Sequence, residues 1–378
     1  MREEFVSRQQ VNLLPERIRK AEETDATKKL KLYMWELFEK NNYKPMKIMV
    51  VGAGGSYPAA IFAKHAIQDE MCTPDVEAVT PQTAVRILTQ FDNILNCTWH
   101  PQYDLVIGIS YSGKTPDIKY VSKLCAKKGY PFVIVTASQK SKLSETYQEN
   151  NELKIISYFN IEDDTGKEKG MISMASTLAP VIIFDDNLTY KMTSDNQKAL
   201  VNGQKFVSKL DISSIAKTIK QYPIIHVLYE WDTLPTAVDI ESKFTESGIA
   251  NVVLHEKKNF SHGRYTSLYN QNFALVINLI RYEMMSITLD GRNINKLYKY
   301  DYDENLATFL TKICKEKSVH YIEIGTEAMK PTQWNIEAMT KLPYLITAIG
   351  EELDIDISKP LKPFPEEATQ LYNYKGKF

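Results

Sequence analysis

Residues 47–60, KIMVVGAGGSYPAA, carry an apolar run that ends at Gly52, two further glycines, Ser56, and then Pro58 ahead of small apolar residues. A short unbroken apolar run suits a strand buried on both faces, and a proline just after a turn suits the first turn of a helix. A buried strand that passes tightly into a helix needs a parallel neighbour, so this stretch predicts an α/β fold. Outward from it, β-rich runs recur at Val76–Val79, Leu105–Ile109, Phe132–Val135 and Leu153–Ile156, mostly separated by amphipathic stretches. After a polar segment at Ser194–Lys209, a second series follows: Ile224–Leu228, a helix from Pro235, Val252–Leu254, Phe273–Leu279, a helix near Asn305–Lys315, Tyr321–Ile324 and a helix near Trp334–Gly350.

The stretch IIHVLYEWDTLPTA (224–237) repeats the plan of strand, turn, proline and helix, with Pro235 set against Pro58. Its turn holds Glu230, Trp231 and Asp232 in place of glycines, so the first copy alone suits an anion. Leu13, Leu14 and Ile18, then Leu30, Leu32, Met34, Trp35, Leu37 and Phe38, predict an N-terminal helical pair. The expected division is 1–46 for that helical segment, 47–193 and 194–350 for two parallel sheets each flanked by helices in three layers, and 351–378 for a tail.

The chain's 378 residues, 43% of them apolar, suffice for two cores, and 46 basic against 47 acidic side chains leave a net charge of -1. No global basic field recruits nucleic acid or anionic lipid, which favours a small-molecule partner. Cys72, Cys97, Cys125 and Cys314 show no zinc-like spacing and read as buried reduced thiols, with no metal expected. The start MREEFVSRQQ has no apolar signal region, and no run approaches the roughly 18 apolar residues of a membrane span. A cytoplasmic protein is expected. The basic, aromatic stretch Leu371–Phe378 closes the sequence.

Two turns carry the anion-binding signal. Gly52, Gly54, Gly55 and Ser56 stand between a strand and a helix N-terminus, where backbone N–H groups meet an anion. This is not GxGxxG, and no acidic residue ends the second strand as a dinucleotide site requires. In YDLVIGISYSGKTPDI (103–118), Ser110, Tyr111, Ser112, Gly113, Lys114 and Thr115 follow a strand and precede Pro116 and Asp117. One helix cap accounts for one hydroxyl; three hydroxyls at one strand end suit phosphate oxygens.

GAGGSY and SYSGKT resemble the two signature turns of the SIS (sugar isomerase) family, found in the isomerase half of glucosamine-6-phosphate synthase and in phosphosugar isomerases and deglycases. The resemblance spans nearly the whole chain. It implies a phosphate held by Gly54, Gly55, Ser56, Ser110, Tyr111, Ser112, Gly113 and Thr115. VTASQKSKL (135–143) matches a third element, and Glu168, Gly170, Met171 and Ser173 match a segment that lines the sugar pocket.

Asp239, Lys243 and Glu246 share one helix face, a pattern that a salt-bridged surface also produces. The resemblance runs without a gap from Pro235 to Gly263 and puts Lys243, Glu246 and His262 on the family's catalytic positions. Glu246 would then move the proton between C1 and C2, His262 would open the ring, and Lys243 would stabilise the enediolate or tune the glutamate. No metal or redox cofactor is called for, and the family's histidine loop implies a homodimer.

The sequence also departs from the family. It begins without the cysteine nucleophile of the amidotransferase half, so no glutaminase activity is expected. Pro363, beside Lys362, falls near the imine-forming lysine. Gly55 replaces threonine, Tyr111 glutamine, Lys114 glutamate and Arg264 proline. The leading expectation is isomerisation, deamination or deglycation of a sugar phosphate; the alternatives are a non-catalytic phosphosugar sensor and a nucleotide or nucleotide-sugar pocket.

Overall fold

The computed structural model describes residues 4–71, 75–90, 103–138, 153–157, 168–170, 172–185, 193–289, 292–298, 301–328 and 330–359. These form two compact units. The first takes in the described residues within 12–169 and 173–194, the second those within 4–11, 170–172 and 195–359.

In the first unit, β1 (Ile48–Gly52), β2 (Val76–Val79), β3 (Leu105–Ile109), β4 (Phe132–Thr136) and β5 (Leu153–Ser157) form one sheet in the order β2-β1-β3-β4-β5. Every pairing is parallel. Every residue of β1, β3 and β4 is buried, which is why these strands read as continuous apolar runs. Helices α4 (Pro81–Thr89) and α5 (Pro116–Lys128) cover one face through Ala84, Leu88, Ile118, Val121 and Cys125, packed on Met49, Val51, Val106 and Ile134. Such fully buried Val, Leu and Ile side chains each contribute roughly 1.5–3 kcal/mol. Helices α3 (Tyr57–Met71) and α6 (Ala175–Phe184) pack together, α3 also against β1, while α2 (Ala26–Lys40), which follows α1 (Val6–Glu22) in the chain, meets β5 and α6. On α2, Leu30 and Met34 turn inward, but Leu32 and Trp35 are 53% and 49% exposed. They lie off the buried stripe that the spacing had suggested they share.

The second unit repeats the plan. Its strands β6 (Ile224–Tyr229), β7 (Asn251–Glu256), β8 (Leu275–Arg281) and β11 (His320–Thr326) pair in parallel in the order β11-β8-β6-β7. In strand succession this is the order of β4-β3-β1-β2. Helix α10 (Asp301–Glu316) packs Leu306, Leu310 and Ile313 onto Leu228 and Val276, whereas α9 (Leu234–Glu246) lies against β6 and β7.

Three features differ from the sequence reading. The polar segment at Ser194–Lys209, for which no element was expected, contributes helix α7 (Thr193–Val207), anchored by buried Ala199 and Leu200. The helix expected near Trp334–Gly350 is two helices, α11 (Pro331–Met339) and α12 (Lys341–Glu352), with Pro343 in the first turn of α12, where a missing N–H costs no helical bond. An antiparallel hairpin, β9 (Glu283–Leu289) with β10 (Arg292–Tyr298), fills a stretch for which no element was expected. Between α7 and β6 lies α8 (Ile212–Gln221), whose Asp211 side chain accepts from Ser214 N. Among the described residues, no helix is long and apolar enough to cross a membrane.

Two buried histidines join β6 to β7. His226 Nδ1 and His255 Nε2 are 2.8 Å apart, the rings stack at 5.1 Å, and the aromatic rings of Phe273 and Phe260 pack edge-on. Their other nitrogens, His226 Nε2 and His255 Nδ1, have no hydrogen-bond partner. Burial pushes both imidazoles down to about 4, aided for His226 by His255 and for His255 by Arg264. In the unfolded chain they titrate near 6.5, so the unfolded state takes up protons first as pH falls. The stabilisation from keeping both rings neutral is therefore intact above about pH 6.5 and declines from there toward pH 4. Urea midpoints measured from pH 7.5 to 4.5 should fall across this window and fall less in a H226Q/H255Q variant; equal slopes would contradict a buried neutral pair.

Candidate functional site

From β1 the chain crosses to β2 on one side and later returns to β3 on the other, so the carboxyl ends of β1 and β3 flank a topological switch point. Gly52 pairs with Ile109, which starts the turns at 53–56 and 110–115 side by side. Ligands of open parallel sheets bind in the crevice at such a point. Gly54–Ser56 make a single 3₁₀ turn, closed by Ser56 N donating to Ala53 O at 3.0 Å, and lead straight into α3.

In the second turn, Ser110 Oγ and Thr115 Oγ1 hydrogen-bond at 2.8 Å, Gly113 N donates to Ser110 O, and Lys114 N donates to Ser112 Oγ at 3.2 Å. Thr115 holds the N-cap position of α5, but its side chain makes no cap bond. Helix capping therefore does not account for these hydroxyls. Ser110 is 1% exposed and braces Thr115, whereas Ser56, Ser112 and Thr115 are half-buried at the surface of the turns. Lys114 is exposed. The end of β4 backs the turn: Ala137 N and Thr136 Oγ1 both donate to Tyr111 O. Burial, and then the Glu168 carboxylate, push the Tyr111 phenol above its ordinary range, with the fully buried Arg17 opposing them.

Glu168 caps α6, its carboxylate accepting from Met174 N, Ala175 N and Ser176 N at 2.7–3.0 Å. One turn further on, Thr177 Oγ1 donates to Gly55 O at 2.8 Å. Ser173 stands directly against Gly55. Thr177 and Arg17 were not singled out in the sequence. Thr177 lies 122 residues from Gly55, and no local pattern reveals that contact. Met171, residues 139–143, Lys362, Pro363 and Leu371–Phe378 lie outside the described residues.

The corresponding turn of the second unit is filled by its own charges. Lys257 Nζ, with its side chain 2% exposed, bonds Asp303 Oδ1 at 2.7 Å and reaches Glu230 Oε1 at 3.4 Å; Asp232 pairs with Arg281. Carboxylates held there repel an anion, so this turn lacks the small neutral residues from which the sequence reading expects anion binding in the first unit.

On α9 the face expected from spacing is present but not as a solvated surface. Lys243 and Asp239 are ion-paired and essentially fully buried. Glu246 is half-buried and accepts from Ser242 Oγ at 2.7 Å. Burial raises the Glu246 carboxyl above its usual range, while Ser242 and Lys243 pull it back and Asp239 and Glu241 add to the rise. His262 is exposed on a π-helical turn, Phe260–Arg264, in which Gly263 has φ 120°, a conformation that favours glycine. Among the described residues, no hydrogen bond or ion pair joins His262 to Lys243 or Glu246. The same turn borders a cleft of about 260 Å³ lined by Phe260, Ser261, Tyr265, Tyr302, Asn305 and Phe309, too apolar for a phosphate. Cys125 and Cys314 are buried, their thiols pushed up to about 12 by burial and so inert as nucleophiles.

No protein-family model matches the chain, and no curated protein matches it. Solved structures do. The chain is similar to tagatose-6-phosphate ketose/aldose isomerase from Escherichia coli at 16% identity and TM-score 0.66, over 96% of this chain and 97% of that one. It is similar to the C-terminal domain of glucosamine-fructose-6-phosphate aminotransferase from Francisella tularensis at 15% identity and TM-score 0.67, over 95% and 99%. Glucosamine-6-phosphate deaminase from Thermotoga maritima matches at 15% identity and TM-score 0.54, over 91% and 98%. These likenesses establish a shared α/β fold across both units.

The cap on α6 is testable by itself. Glu168→Ala leaves three N-terminal amides without their acceptor and should cost about 1–2 kcal/mol in urea unfolding, whereas Lys169→Ala beside it should cost under about 0.5 kcal/mol.

Proposed function

We propose that this protein is a phosphosugar enzyme that moves a proton between C1 and C2 of an open-chain sugar phosphate, in aldose–ketose isomerisation or a related deamination or deglycation. The observation that carries the reading is the pair of hydroxyl-bearing turns at the adjacent carboxyl ends of β1 and β3, with Ser56, Ser112 and Thr115 at their surface and Ser110 bracing Thr115. Helix N-termini and small polar side chains bind a phosphate dianion without a fixed cation. The structural neighbours whose names carry tagatose 6-phosphate and glucosamine 6-phosphate chemistry support the same ligand class.

Glu246 is the proton carrier. A carboxylate raised by burial and contacted by one hydroxyl is basic enough to take the C2 proton and acidic enough to return it at C1. Lys243, sealed against Asp239, tunes Glu246 and does not touch the ligand. His262, an exposed imidazole, shuttles the proton of ring opening. A cytoplasmic homodimer belongs to the same proposal. A phosphosugar sensor is the second reading, favoured by Lys243 being engaged internally.

Thermal shift against glucose, fructose and glucosamine 6-phosphates, beside the unphosphorylated sugars, separates these readings. Phosphate-dependent stabilisation with C1/C2 proton exchange establishes the enzyme; stabilisation without exchange establishes the sensor; no stabilisation removes the phosphosugar assignment. Glu246→Gln should lower exchange at least about 100-fold while leaving affinity within about threefold, and full activity would remove Glu246 from its role. His262→Ala should slow cyclic substrates more than analogues locked open; equal slowing would overturn the ring-opening role.

A further inference from the structure

Glu246 is the last residue of α9, at the end of the helix where unpaired carbonyls disfavour a negative charge. Helical side chains lean back toward the N-terminus, so the neighbours within reach of Glu246 on its own helix are three and four residues earlier, Lys243 and Ser242. Lys243 is turned away, its Nζ paired with Asp239 one turn further back. Ser242 Oγ donates to Glu246 Oε1 at 2.7 Å. Serine and threonine hydroxyls inside helices commonly return to a backbone carbonyl of the preceding turn. Thr218, Ser261 and Thr308 do so in this chain, donating to Ser214 O, Lys257 O and Glu304 O at 2.9–3.1 Å. Ser242 sends its proton to the carboxylate instead. The two oxygens of Glu246 are thereby unequal. Oε1 is taken, whereas Oε2 has no hydrogen-bond partner among the described residues and is not sealed from solvent.

Resting on the proton-transfer reading, we infer that Ser242 is a positioning residue, which holds Glu246 so that Oε2 alone carries the proton between C1 and C2. From an open-chain aldose, Oε2 takes the proton at C2, the C–H electron pair becomes the C1=C2 double bond, and the carbonyl pair moves onto O1. The O2 proton passes to O1, and Oε2–H returns its proton to C1 as C2=O2 forms. The product is the ketose, with no atom gained or lost. Ser242 donates to Oε1 in both protonation states, because that atom is a carboxylate oxygen before the transfer and the carbonyl oxygen of the acid after it. The carboxyl therefore keeps one orientation through the cycle. Without that bond, a glutamate at a helix end spreads over several rotamers, few of which aim an oxygen at the reacting carbons.

Proton exchange at C1 and C2 of glucose, fructose and glucosamine 6-phosphates, followed by NMR on the full chain beside urea unfolding, tests this. Ser242→Ala should lower kcat about 10-fold or more and keep KM within about twofold, with the urea midpoint unchanged or raised because alanine is the better helix former. Ser242→Thr restores the hydroxyl and should return kcat to within about threefold of wild type. Added to Glu246→Gln, Ser242→Ala should change the residual exchange by less than about twofold, since it acts only through the carboxylate. Wild-type kcat in Ser242→Ala, beside exchange lost in Glu246→Gln, would overturn this inference alone, and so would equal slowing by Ser242→Ala and Ser242→Thr. Full exchange in Glu246→Gln, or none by the wild-type protein with any of the three sugar phosphates, would remove the proton-transfer reading and this inference with it.

Discussion

The parallel register of β1 against β3 is the constraint from which the candidate phosphate site follows. Because Gly52 sits opposite Ile109, both strands end at the same level, and both chains leave the sheet through turns of small residues. A slip of even one residue would turn every side chain of β1 to the opposite face. That slip is opposed by Met49 and Val51 packing under α4 and α5, so the core that stabilises the unit also sets the height of the two turns. Ser56, Ser112 and Thr115 stand on turns whose height is set by this register and by the helices that start immediately after them.

The second sheet shows what the same topology does with other turn residues. Its first strand ends at Tyr229 and passes into Glu230, Trp231 and Asp232 rather than a glycine turn, and the structure answers with Lys257, Asp303 and the Asp232–Arg281 pair. Breaking such a buried pair by removing one partner commonly costs about 3–5 kcal/mol, so these charges are locked to each other and not held in reserve for a ligand. Strand order is shared between the two sheets, while the chemistry at the strand ends is set by three or four side chains.

Much of this was legible in the sequence, for identifiable reasons. Strands buried on both faces leave unbroken apolar runs, so Leu105–Ile109 is found at the residues expected of it. The glycine and serine turns were visible because an anion site needs small residues close together in sequence. The hairpin of β9 and β10 was passed over although Asp290-Gly291 is a turn signal, because the polar residues of RNINKLY do not read as a buried strand. Helix α7 was passed over because its polar face dominates its composition and only a narrow stripe, including Ala199 and Leu200, is buried. Thr177 bonding to Gly55, and Ser173 standing in the place of its side chain, depend on a contact across more than a hundred residues, and nothing local encodes that.

The spacing of Asp239, Lys243 and Glu246 was likewise visible, but not the division of labour among them. A lysine with no partner near Glu246 would stabilise the carboxylate and make it a poor base. Here Lys243 is joined to Asp239 in a buried pair whose charges largely cancel at a third group. Burial then dominates at Glu246 and lifts it, while Ser242 limits the rise. A proton carrier has to work in both directions within one catalytic cycle, which favours a carboxyl placed between a strong acid and a fully neutralised one. The Asp239–Lys243 pair takes the lysine's charge away from Glu246, so its burial and the raised Glu246 carboxyl are parts of one arrangement, on which the proposed proton transfer draws.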